Sequence, residues 1–408
     1  MLKRIFTTSV FSILSRGLNT ATNVFILFVI SRFMGPQELG IYGIAFTIFN
    51  LFFSVASMNL WIYIGREMAH LKEDRQQVFN LFGETMAAAK VGFLASGVVL
   101  LGALAIYREL GVGLVLLTFA AGVLWGLEKN LSGFLLGRER MDLEALTSGL
   151  TFVLTVGLLV LTKDNLTIEW IFVVRLIGLL AGIAVRFYFI RDCIVLSAWK
   201  ARMRKFSEIK YFWFNNVAAF VFRQVDVLVL SFFVGKALLG SYFLALRIFM
   251  TVNIVSEVLA MSLTPFISRS FKGKESVSFR RMILLSLGTT FVVGLMLGGG
   301  VFWGRHFLIS IFNRELVAGA GVYLKLLAWM IPFRMGMAIL GAFLSSSQYQ
   351  HYRFYLSLMI SIPFTLMTAA LSFLYAADGA IVARLGTEIM AFGLYFYTIF
   401  FKLKLRRN

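Results

Sequence analysis

Apolar runs of about 20 residues recur from one end of the chain to the other, separated by short polar segments. A helix of that length crosses the hydrocarbon core of a bilayer, because each residue adds about 1.5 Å to its length. No polar gap is long enough for a soluble domain of typical size. The pattern predicts an all-α polytopic membrane protein with twelve transmembrane helices, at about residues 10–31, 41–64, 84–107, 110–136, 143–161, 168–190, 208–234, 241–267, 281–303, 320–344, 354–375 and 380–401.

Composition supports this prediction. Of the 408 residues, 59% are hydrophobic and only 14% are charged, and the mean hydropathy is +0.84. Soluble domains are about half apolar and about a quarter charged. The first segment lacks a compact apolar region with a small-residue cleavage site, so we expect an uncleaved first span.

The basic residues of the short loops predict the orientation of the chain. With both termini in the cytoplasm, 22 loop lysines and arginines fall on the cytoplasmic side and 6 on the other. Cytoplasmic loops carry this excess in multi-pass membrane proteins. The formal net charge of +19 is therefore ascribed to topology and to membrane lipids, and we expect no nucleic-acid partner.

Two segments 200 positions apart resemble each other. The first, "SRFMGPQELGIY", spans residues 31–42, and the second, "SFFVGKALLGSY", spans residues 231–242, with six of twelve positions identical. A glycine turn between two spans explains part of the match. The half-chain spacing nevertheless predicts two six-helix bundles, 1–200 and 201–408, formed by a parallel internal repeat about an axis along the membrane normal.

Polar side chains form stripes on the first two spans of each predicted half. Exposing so many polar groups to lipid is costly, so the stripes predict a hydrated central cavity. The first half contributes Arg16, Asn19, Thr20, Asn23 and Asn50, and the second half contributes Asn216, Arg223, Asp226, Arg247 and Glu257.

Two interpretations of the remaining intramembrane charges stay open. Some cations snorkel to the interface, and Arg223 with Asp226, or Arg384 with Glu388, form pairs within one helix. Alternatively, these groups line the cavity, which is then net cationic. Pro332 interrupts an apolar run and predicts a bend.

Sequence motifs for covalent chemistry are absent. The chain has no phosphate-binding loop, no metal-protease motif and no cysteine cluster, and its three histidines lie singly. The segment "LGGGVFWG" is typical of close helix packing or bending. We expect no catalytic residue, no bound metal and no cofactor, so the protein is predicted not to be an enzyme.

Two stretches carry a resemblance to a known family. They are "FMGPQELGIYGIAFTIFNLFFSVASMNL", after a span containing "LSRGLNTATN", and "RQVDVLVLSFFVGKALLGSYFLALRIFMTVNIVSEVLAMSLTPFIS". The chain resembles Wzx-type oligosaccharide flippases of the multidrug/oligosaccharidyl-lipid/polysaccharide (MOP) exporter superfamily. The resemblance implies a V of two six-helix bundles, as in multidrug (MATE) exporters, with alternating access and no covalent chemistry.

The resemblance also implies a substrate and a location. Such flippases move undecaprenyl-pyrophosphate-linked oligosaccharide from the inner to the outer leaflet of the cell (inner) membrane, for O-antigen, capsule or exopolysaccharide assembly. Polysaccharide polymerase and other synthesis proteins are the implied partners. Arginine pairs bidentately with phosphate, so we assign head-group contacts to Arg16, Arg223 and Arg247. Contacts to sugars or water are assigned to Asn19, Asn23, Asn50 and Asn216.

Energy coupling and rival functions remain open at this point. Asp226, Glu257 and Glu388 are the candidates for coupling to H+ or Na+, although Asp226 alternatively only neutralises Arg223. A multidrug exporter of the same superfamily would favour an acidic, aromatic cavity. A lipid II-type flippase typically has fourteen spans, and a non-transporting scaffold would make the buried cations individually dispensable.

Overall fold

The computed structural model describes residues 2–71, 75–194, 206–256, 259–260, 276–346 and 350–402. These residues form helices and short connections, with no β-strand among them, which confirms the all-α prediction. The first eight helices are α1 (Leu2–Phe33), α2 (Pro36–Ala56), α3 (Leu60–His70), α4 (Arg75–Ile106), α5 (Val112–Gly137), α6 (Met141–Leu161), α7 (Ile168–Ile190) and α8 (Phe206–Leu230). The others are α9 (Lys236–Val252), α10 (Ser276–Phe312), α11 (Val317–Ala328), α12 (Ile331–Ser346) and α13 (Gln350–Tyr397).

Helix length and hydropathy confirm a multi-pass membrane protein. In the described part of the chain, nine helices are long and apolar enough to cross a membrane. A tenth candidate is the segment Arg314–Ala328 with Ile331–Leu344, which is bent by 49° at its break. The count of twelve spans stays a prediction.

The predicted second span is interrupted. The sequence pattern continues from residue 41 to residue 64, but α2 ends at Ala56 and α3 begins at Leu60. Between them, Met58 and Asn59 have positive φ angles of 48° and 57°. That conformation cannot continue a right-handed helix, so the single-helix prediction was wrong here.

The chain divides into two compact units. Unit 1 comprises residues 1–34 and 41–220, and unit 2 comprises residues 35–40 and 221–408. The boundary falls inside α8, whose first part therefore belongs to unit 1. The predicted halves 1–200 and 201–408 and their repeat relationship stay predictions.

Unit 1 is built around α2 and α5. Residues Tyr42–Asn50 of α2 are all buried, and α5 packs against α3, α4 and α7, while α1 packs against α6. Glycines on one face of α5 allow this close packing, because a Cβ atom there would lie 2.7 Å from the Phe49 carbonyl oxygen at Gly122 and 2.8 Å from the Trp61 carbonyl oxygen at Gly133. Small residues at helix contacts are typical of membrane proteins.

Unit 2 contains a helical hairpin within α13. Regular helix geometry is interrupted at Tyr375 and Ala376, where Ala376 has φ 51°. The chain reverses there, since a Cβ atom on Gly379 would collide with the Leu371 carbonyl group. The reversal lies at the end of the predicted eleventh span. It brings the second half of α13 back along the first.

The two segments with matching sequences contact each other within unit 2. A Cβ atom on Gly240 would lie 2.2 Å from the Pro36 carbonyl oxygen, and one on Gly40 would collide with the Lys236 carbonyl oxygen. The contact is thus reciprocal, with each glycine facing the first residue of the other helix. Only residues without a Cβ atom allow the backbones to approach this closely.

Candidate functional site

Unit 1 encloses an arginine whose partners satisfy every guanidinium nitrogen. Arg186 of α7 is 0% exposed. Its Nη1 donates to Glu128 Oε1 at 2.6 Å and to the Gly182 carbonyl oxygen at 3.3 Å. Its Nη2 donates to Glu144 Oε1 at 3.0 Å, and its Nε donates to Glu144 Oε2 at 2.9 Å and Ser132 Oγ at 3.1 Å. We call Arg186, Glu128, Glu144 and Ser132 the Arg186 cluster.

A second buried arginine in unit 1 lies among aromatic rings. Arg175 of α7 is 8% exposed, and its guanidinium carbon lies 4.3 Å from the Phe49 ring centroid and 5.7 Å from that of Trp125. Its Nη2 donates to Asn23 Oδ1 at 2.9 Å, while its Nη1 has no hydrogen-bond partner. The face of an aromatic ring attracts a cation, so the rings stabilise this charge without neutralising it.

The other predicted site residues of unit 1 lie on α1, α2 and α8. The Asn19 side chain donates to the Ser15 carbonyl oxygen at 2.9 Å and to Ser148 Oγ at 3.3 Å, which ties α1 to α6. Asn50 is buried and donates to the Phe46 carbonyl oxygen at 2.7 Å. Arg16 is half-buried on α1, one turn before Asn19.

Asn216 connects α8 to the interrupted region after α2. Its side-chain nitrogen donates to the Ser54 carbonyl oxygen at 2.9 Å and to Ser57 Oγ at 3.3 Å. Asn216 is only 8% exposed. The amide therefore satisfies a backbone carbonyl of the last turn of α2.

Unit 2 encloses its own arginine with a carboxylate from a distant helix. Arg384 is 1% exposed and Asp226 is 0% exposed. Arg384 Nε donates to Asp226 Oδ2 at 2.8 Å, and its Nη2 lies 2.7 Å from the same oxygen. The Tyr242 hydroxyl also donates to that oxygen, and the Arg384 Nη2 donates to the Arg223 carbonyl oxygen at 2.9 Å. Asp226 thus pairs with Arg384, and the Arg223–Asp226 pair suggested by spacing on one helix is not the pairing observed.

A second ion pair adjoins the first. Arg334 Nη1 donates to Glu388 Oε1, and Arg384 Nη1 lies 3.7 Å from that oxygen. Arg384 Nη1 and Glu388 Oε2 have no hydrogen-bond partner. We call Arg384, Asp226, Tyr242, Glu388 and Arg334 the Arg384 cluster.

The remaining predicted residues of unit 2 lie nearby on α8 and α9. Arg247 is half-buried, donates to Gln224 Oε1 at 3.0 Å and lies 4.7 Å from the Phe243 ring centroid. Arg223 is half-buried on α8. Glu257 lies outside the described residues. In the part of the chain that the structure describes, no group of three or more His, Cys, Asp and Glu side chains could hold a metal ion.

Sequence reasoning left three buried arginines and the half-buried Arg334 out of the candidate site. Helix periodicity groups residues on one helix, whereas these arginines find their partners on other helices. Their position inside apolar runs was the available signal, because an intramembrane charge needs a partner or a function. The four are Arg175, Arg186, Arg334 and Arg384.

Comparison with known families agrees with this architecture. The family model described as "Polysaccharide biosynthesis protein" matches residues 2–271, and the MatE family model matches residues 213–367. The chain therefore belongs to the polysaccharide biosynthesis protein family. No curated protein matches the sequence significantly.

Solved structures share the fold at low sequence identity. An inward-facing multidrug resistance MATE transporter of the MOP superfamily is 13% identical, with a TM-score of 0.74, and the match covers 94% of this chain and 95% of that chain. The lipid II flippase MurJ, in an inward closed conformation, is 14% identical with a TM-score of 0.72, covering 97% and 87%. A MOP superfamily transporter from Pyrococcus furiosus, described as having a binding pocket of reverse polarity, is 13% identical with a TM-score of 0.70, and the match covers 100% of this chain and 97% of that chain.

Proposed function

We propose that the protein is a flippase that moves polyprenyl-pyrophosphate-linked oligosaccharide repeat units from the inner to the outer leaflet, for surface polysaccharide assembly. The family match over residues 2–271 supports a role in polysaccharide biosynthesis. The structural similarity to a lipid II flippase supports a lipid-linked substrate. Transport proceeds by alternating access and involves no covalent step.

The proposal rests on the environment of Arg175, which is buried without an ion-pair partner among the described residues. Its guanidinium has no carboxylate within ion-pair distance among the described residues, although Glu128 and Tyr42 attract it, and its Nη1 has no hydrogen-bond partner. Removing such a group from water is expensive, so an anionic substrate would recover part of the cost while it is bound. A pyrophosphate offers several acceptor oxygens to an arginine.

Predicted site residues are arranged next to Arg175 in unit 1. Asn23 already accepts from Arg175, and Asn19 lies one turn earlier on α1. We propose that Arg175 and Arg16 of unit 1 contact the head group. The head-group contacts of Arg223 and Arg247 in unit 2 stay predictions. Asn19, Asn23, Asn50 and Asn216 then provide contacts to sugars or water.

Coupling to H+ or Na+ is assigned to unit 2. Glu388 Oε2 is a buried carboxylate oxygen without a hydrogen-bond partner, so it has acceptor capacity for a proton or a cation. Asp226 is held by Arg384 and Tyr242 and would have to change partners first. Glu388 is therefore the better candidate of the two.

The proposal includes a location. We place the protein in the cytoplasmic (inner) membrane with both termini in the cytoplasm, following the distribution of basic loop residues. Polysaccharide polymerase and other synthesis proteins would then take up the product in the outer leaflet.

The proposal is tested by leaflet-resolved accumulation of lipid-linked oligosaccharide in cells that lack their own flippase. The cells are complemented with the wild-type chain, with Arg175→Gln or with Arg223→Ala at matched expression. We expect the wild type to restore outer-leaflet substrate and both variants to lose most of this activity.

Arg32→Gln serves as the matched control, because Arg32 is exposed at the end of α1. It should transport like the wild type. Thermal stability of each purified variant separates loss of transport from loss of fold. Full activity of both Arg175→Gln and Arg223→Ala would contradict the assignment of a cationic substrate site.

A second candidate function is ion-coupled multidrug export. The MatE match over residues 213–367 and the MATE structural neighbours favour it. It predicts that the chain lowers the accumulation of cationic drugs in cells and leaves the leaflet distribution of lipid-linked oligosaccharide unchanged. A lipid II-type flippase is distinguished by supplying lipid II in place of the oligosaccharide lipid.

A further inference from the structure

Unit 2 contains an apolar pocket outside the charged clusters. Its volume is about 260 Å³, and it lies between α10 and the break that separates α11 from α12. Two tryptophans form its outer walls, since Trp303 is 80% exposed and Trp329 is 59% exposed. The pocket is lined by Leu295, Gly298, Gly299, Phe302, Trp303, Ala328, Trp329 and Pro332.

The sequence explains why a pocket forms at this point. Pro332 has no N–H with which to bond the Ala328 carbonyl oxygen four residues earlier, so α11 does not continue into α12. The bend at the break is 49°. Gly298 of α10 packs against the end of α11, because a Cβ atom on Gly298 would lie 2.7 Å from the Ala328 carbonyl oxygen. At Gly299, a Cβ atom would instead meet the Trp303 ring at 3.1 Å, beside the open space of the pocket.

Two cations lie against one ring of the pocket wall. The guanidinium carbon of Arg305 is 5.2 Å from the Phe302 ring centroid, and Lys325 Nζ is 5.8 Å from it. Lys325 is exposed and Arg305 is half-buried. Neither forms an ion pair with a carboxylate of the described residues. The pocket is therefore apolar along its length and cationic at one edge.

We propose that this pocket binds an anionic phospholipid of the surrounding bilayer. One acyl chain occupies the space between Trp303 and Trp329, and the headgroup phosphate pairs with Arg305 and Lys325. The pocket wall faces outward and is apolar, which suits a hydrocarbon chain. Arg305 donates to the Phe302 carbonyl oxygen, but neither it nor Lys325 pairs with a carboxylate of the described residues, which suits a negatively charged headgroup. Tryptophan is also the residue that membrane proteins favour near lipid headgroups.

The lipid site does not depend on the proposed flippase function. An acyl chain in the pocket would fill the space that the break between α11 and α12 leaves open. The proposed site includes the exposed tryptophans, Gly298 and Gly299 of "LGGGVFWG", and the two cations at the edge of the pocket.

The test measures lipid binding by the full chain. The purified protein is stripped of lipid in detergent, titrated with phosphatidylglycerol or phosphatidylcholine, and its bound states are counted by native mass spectrometry. We expect a preference for phosphatidylglycerol in the wild type. The double variant Arg305→Gln/Lys325→Gln should bind phosphatidylglycerol about 25-fold more weakly, since each basic residue near an anionic lipid contributes about a factor of five. Arg314→Gln, an exposed cation of the adjoining turn, is the control and should bind as the wild type does.

A second pair of variants tests the apolar part. Gly299→Leu places a side chain in the pocket and should weaken binding of both lipids. Gly300→Leu adds the same side chain at the next residue, where nothing lies within 4 Å of a Cβ atom, and should bind normally. Phosphatidylglycerol with bromine atoms in its acyl chain should quench the tryptophan fluorescence of Gly300→Leu more strongly than that of Gly299→Leu.

Three results would overturn the proposal. Equal binding of the two phospholipids by the wild type would contradict the assignment of Arg305 and Lys325 to the headgroup. Unchanged lipid affinity in both Arg305→Gln/Lys325→Gln and Gly299→Leu would show that lipid does not bind in this pocket. Displacement of phosphatidylglycerol by a lower concentration of polyprenyl phosphate would identify the occupant as the isoprenoid chain of a substrate rather than a bilayer phospholipid.

Discussion

Among the described residues, the most deeply buried arginines of the two units are Arg186 and Arg384, and these two differ in how their partners satisfy them. Arg186 in unit 1 has a partner at every nitrogen and is shared between two glutamates. Arg384 in unit 2 leaves Nη1 without a hydrogen bond, and its neighbour Glu388 leaves Oε2 without one. Buried polar atoms are rarely left unsatisfied, and those that are call for an explanation.

This difference separates a structural role from a functional one. A cluster with all partners in place holds helices together and gains nothing by rearranging. A cluster with unused donors and acceptors can exchange partners at low cost. We therefore infer that the Arg186 cluster stabilises unit 1, while the Arg384 cluster changes partners during transport.

The largest expected effect comes from breaking the Arg186 cluster. Arg186→Met leaves Glu128 and Glu144 buried without their main cation and should lower the free energy of unfolding by about 3–5 kcal/mol. Thermal unfolding in detergent measures the loss. Arg138→Met is the control, because the Arg138–Asp192 pair is solvent-exposed and such pairs contribute about 0–1 kcal/mol.

A version of the cluster without its three charges completes that test. Arg186→Met with Glu128→Gln and Glu144→Gln leaves only the partly exposed Lys129, whose Nζ lies 3.8 Å from Glu144 Oε1, without this partner, so most of the stability and the transport should return. If the triple variant is stable but does not transport, the Arg186 cluster has a functional role, which would contradict the inference that it only stabilises unit 1.

The corresponding change in unit 2 should separate stability from activity. Arg384→Met with Asp226→Asn removes the buried pair together, so the chain should still fold. Transport should fall about a hundredfold, equivalent to about 2.7 kcal/mol in the rate-limiting barrier. The leaflet-resolved assay and thermal unfolding measure the two quantities on the same preparation. Normal transport by this variant would make the cluster structural.

A smaller effect is expected from Glu388→Gln. The amide oxygen can still accept from Arg334, but the carboxylate that would take up a proton or a cation is gone. We expect transport to fall about tenfold, or about 1.4 kcal/mol, and to lose its dependence on H+ or Na+. Initial rates measured over a range of pH and of Na+ concentration check this. An unchanged ion dependence would move the coupling site away from Glu388.

The smallest expected effect is that of Tyr242→Phe. It removes one donor from Asp226 and leaves the two contacts from Arg384, so the free energy of unfolding should fall by about 1 kcal/mol. Tyr323→Phe is the matched control, since the Tyr323 ring packs edge-on against Tyr242 at 5.8 Å between centroids. Tyr323→Phe keeps this ring contact and removes a hydroxyl that does not bond Asp226, so a loss as large as that of Tyr242→Phe would show that the hydrogen bond to Asp226 is not the cause.

The length and spacing of the apolar runs predicted the all-α membrane fold well, because apolar runs determine which segments cross a bilayer. It failed where a local backbone conformation intervened: nothing in the apolar run 41–64 indicates that Met58 and Asn59 adopt positive φ angles. Spacing on one helix also suggested Arg223 as the partner of Asp226. The observed partner, Arg384, lies 158 positions away, and helix periodicity carries no information at that distance.

The predicted polar stripes illustrate the same limit at the candidate site. Asn19 and Asn23 share one face of α1 as the spacing predicts, but the arginine that contacts Asn23 comes from α7. The matching glycines Gly40 and Gly240 were recognisable from sequence as equivalent positions. Their reciprocal contact was not, because a sequence match does not state which backbones touch.

The reversal within α13 has a consequence for biogenesis. Only Tyr375 and Ala376 depart from helical geometry, and Gly379 lies against Leu371. With so short a connection, neither half of α13 can be translocated while the other stays behind. We therefore expect the two halves of α13 to leave the translocon for the lipid together, as a helical hairpin.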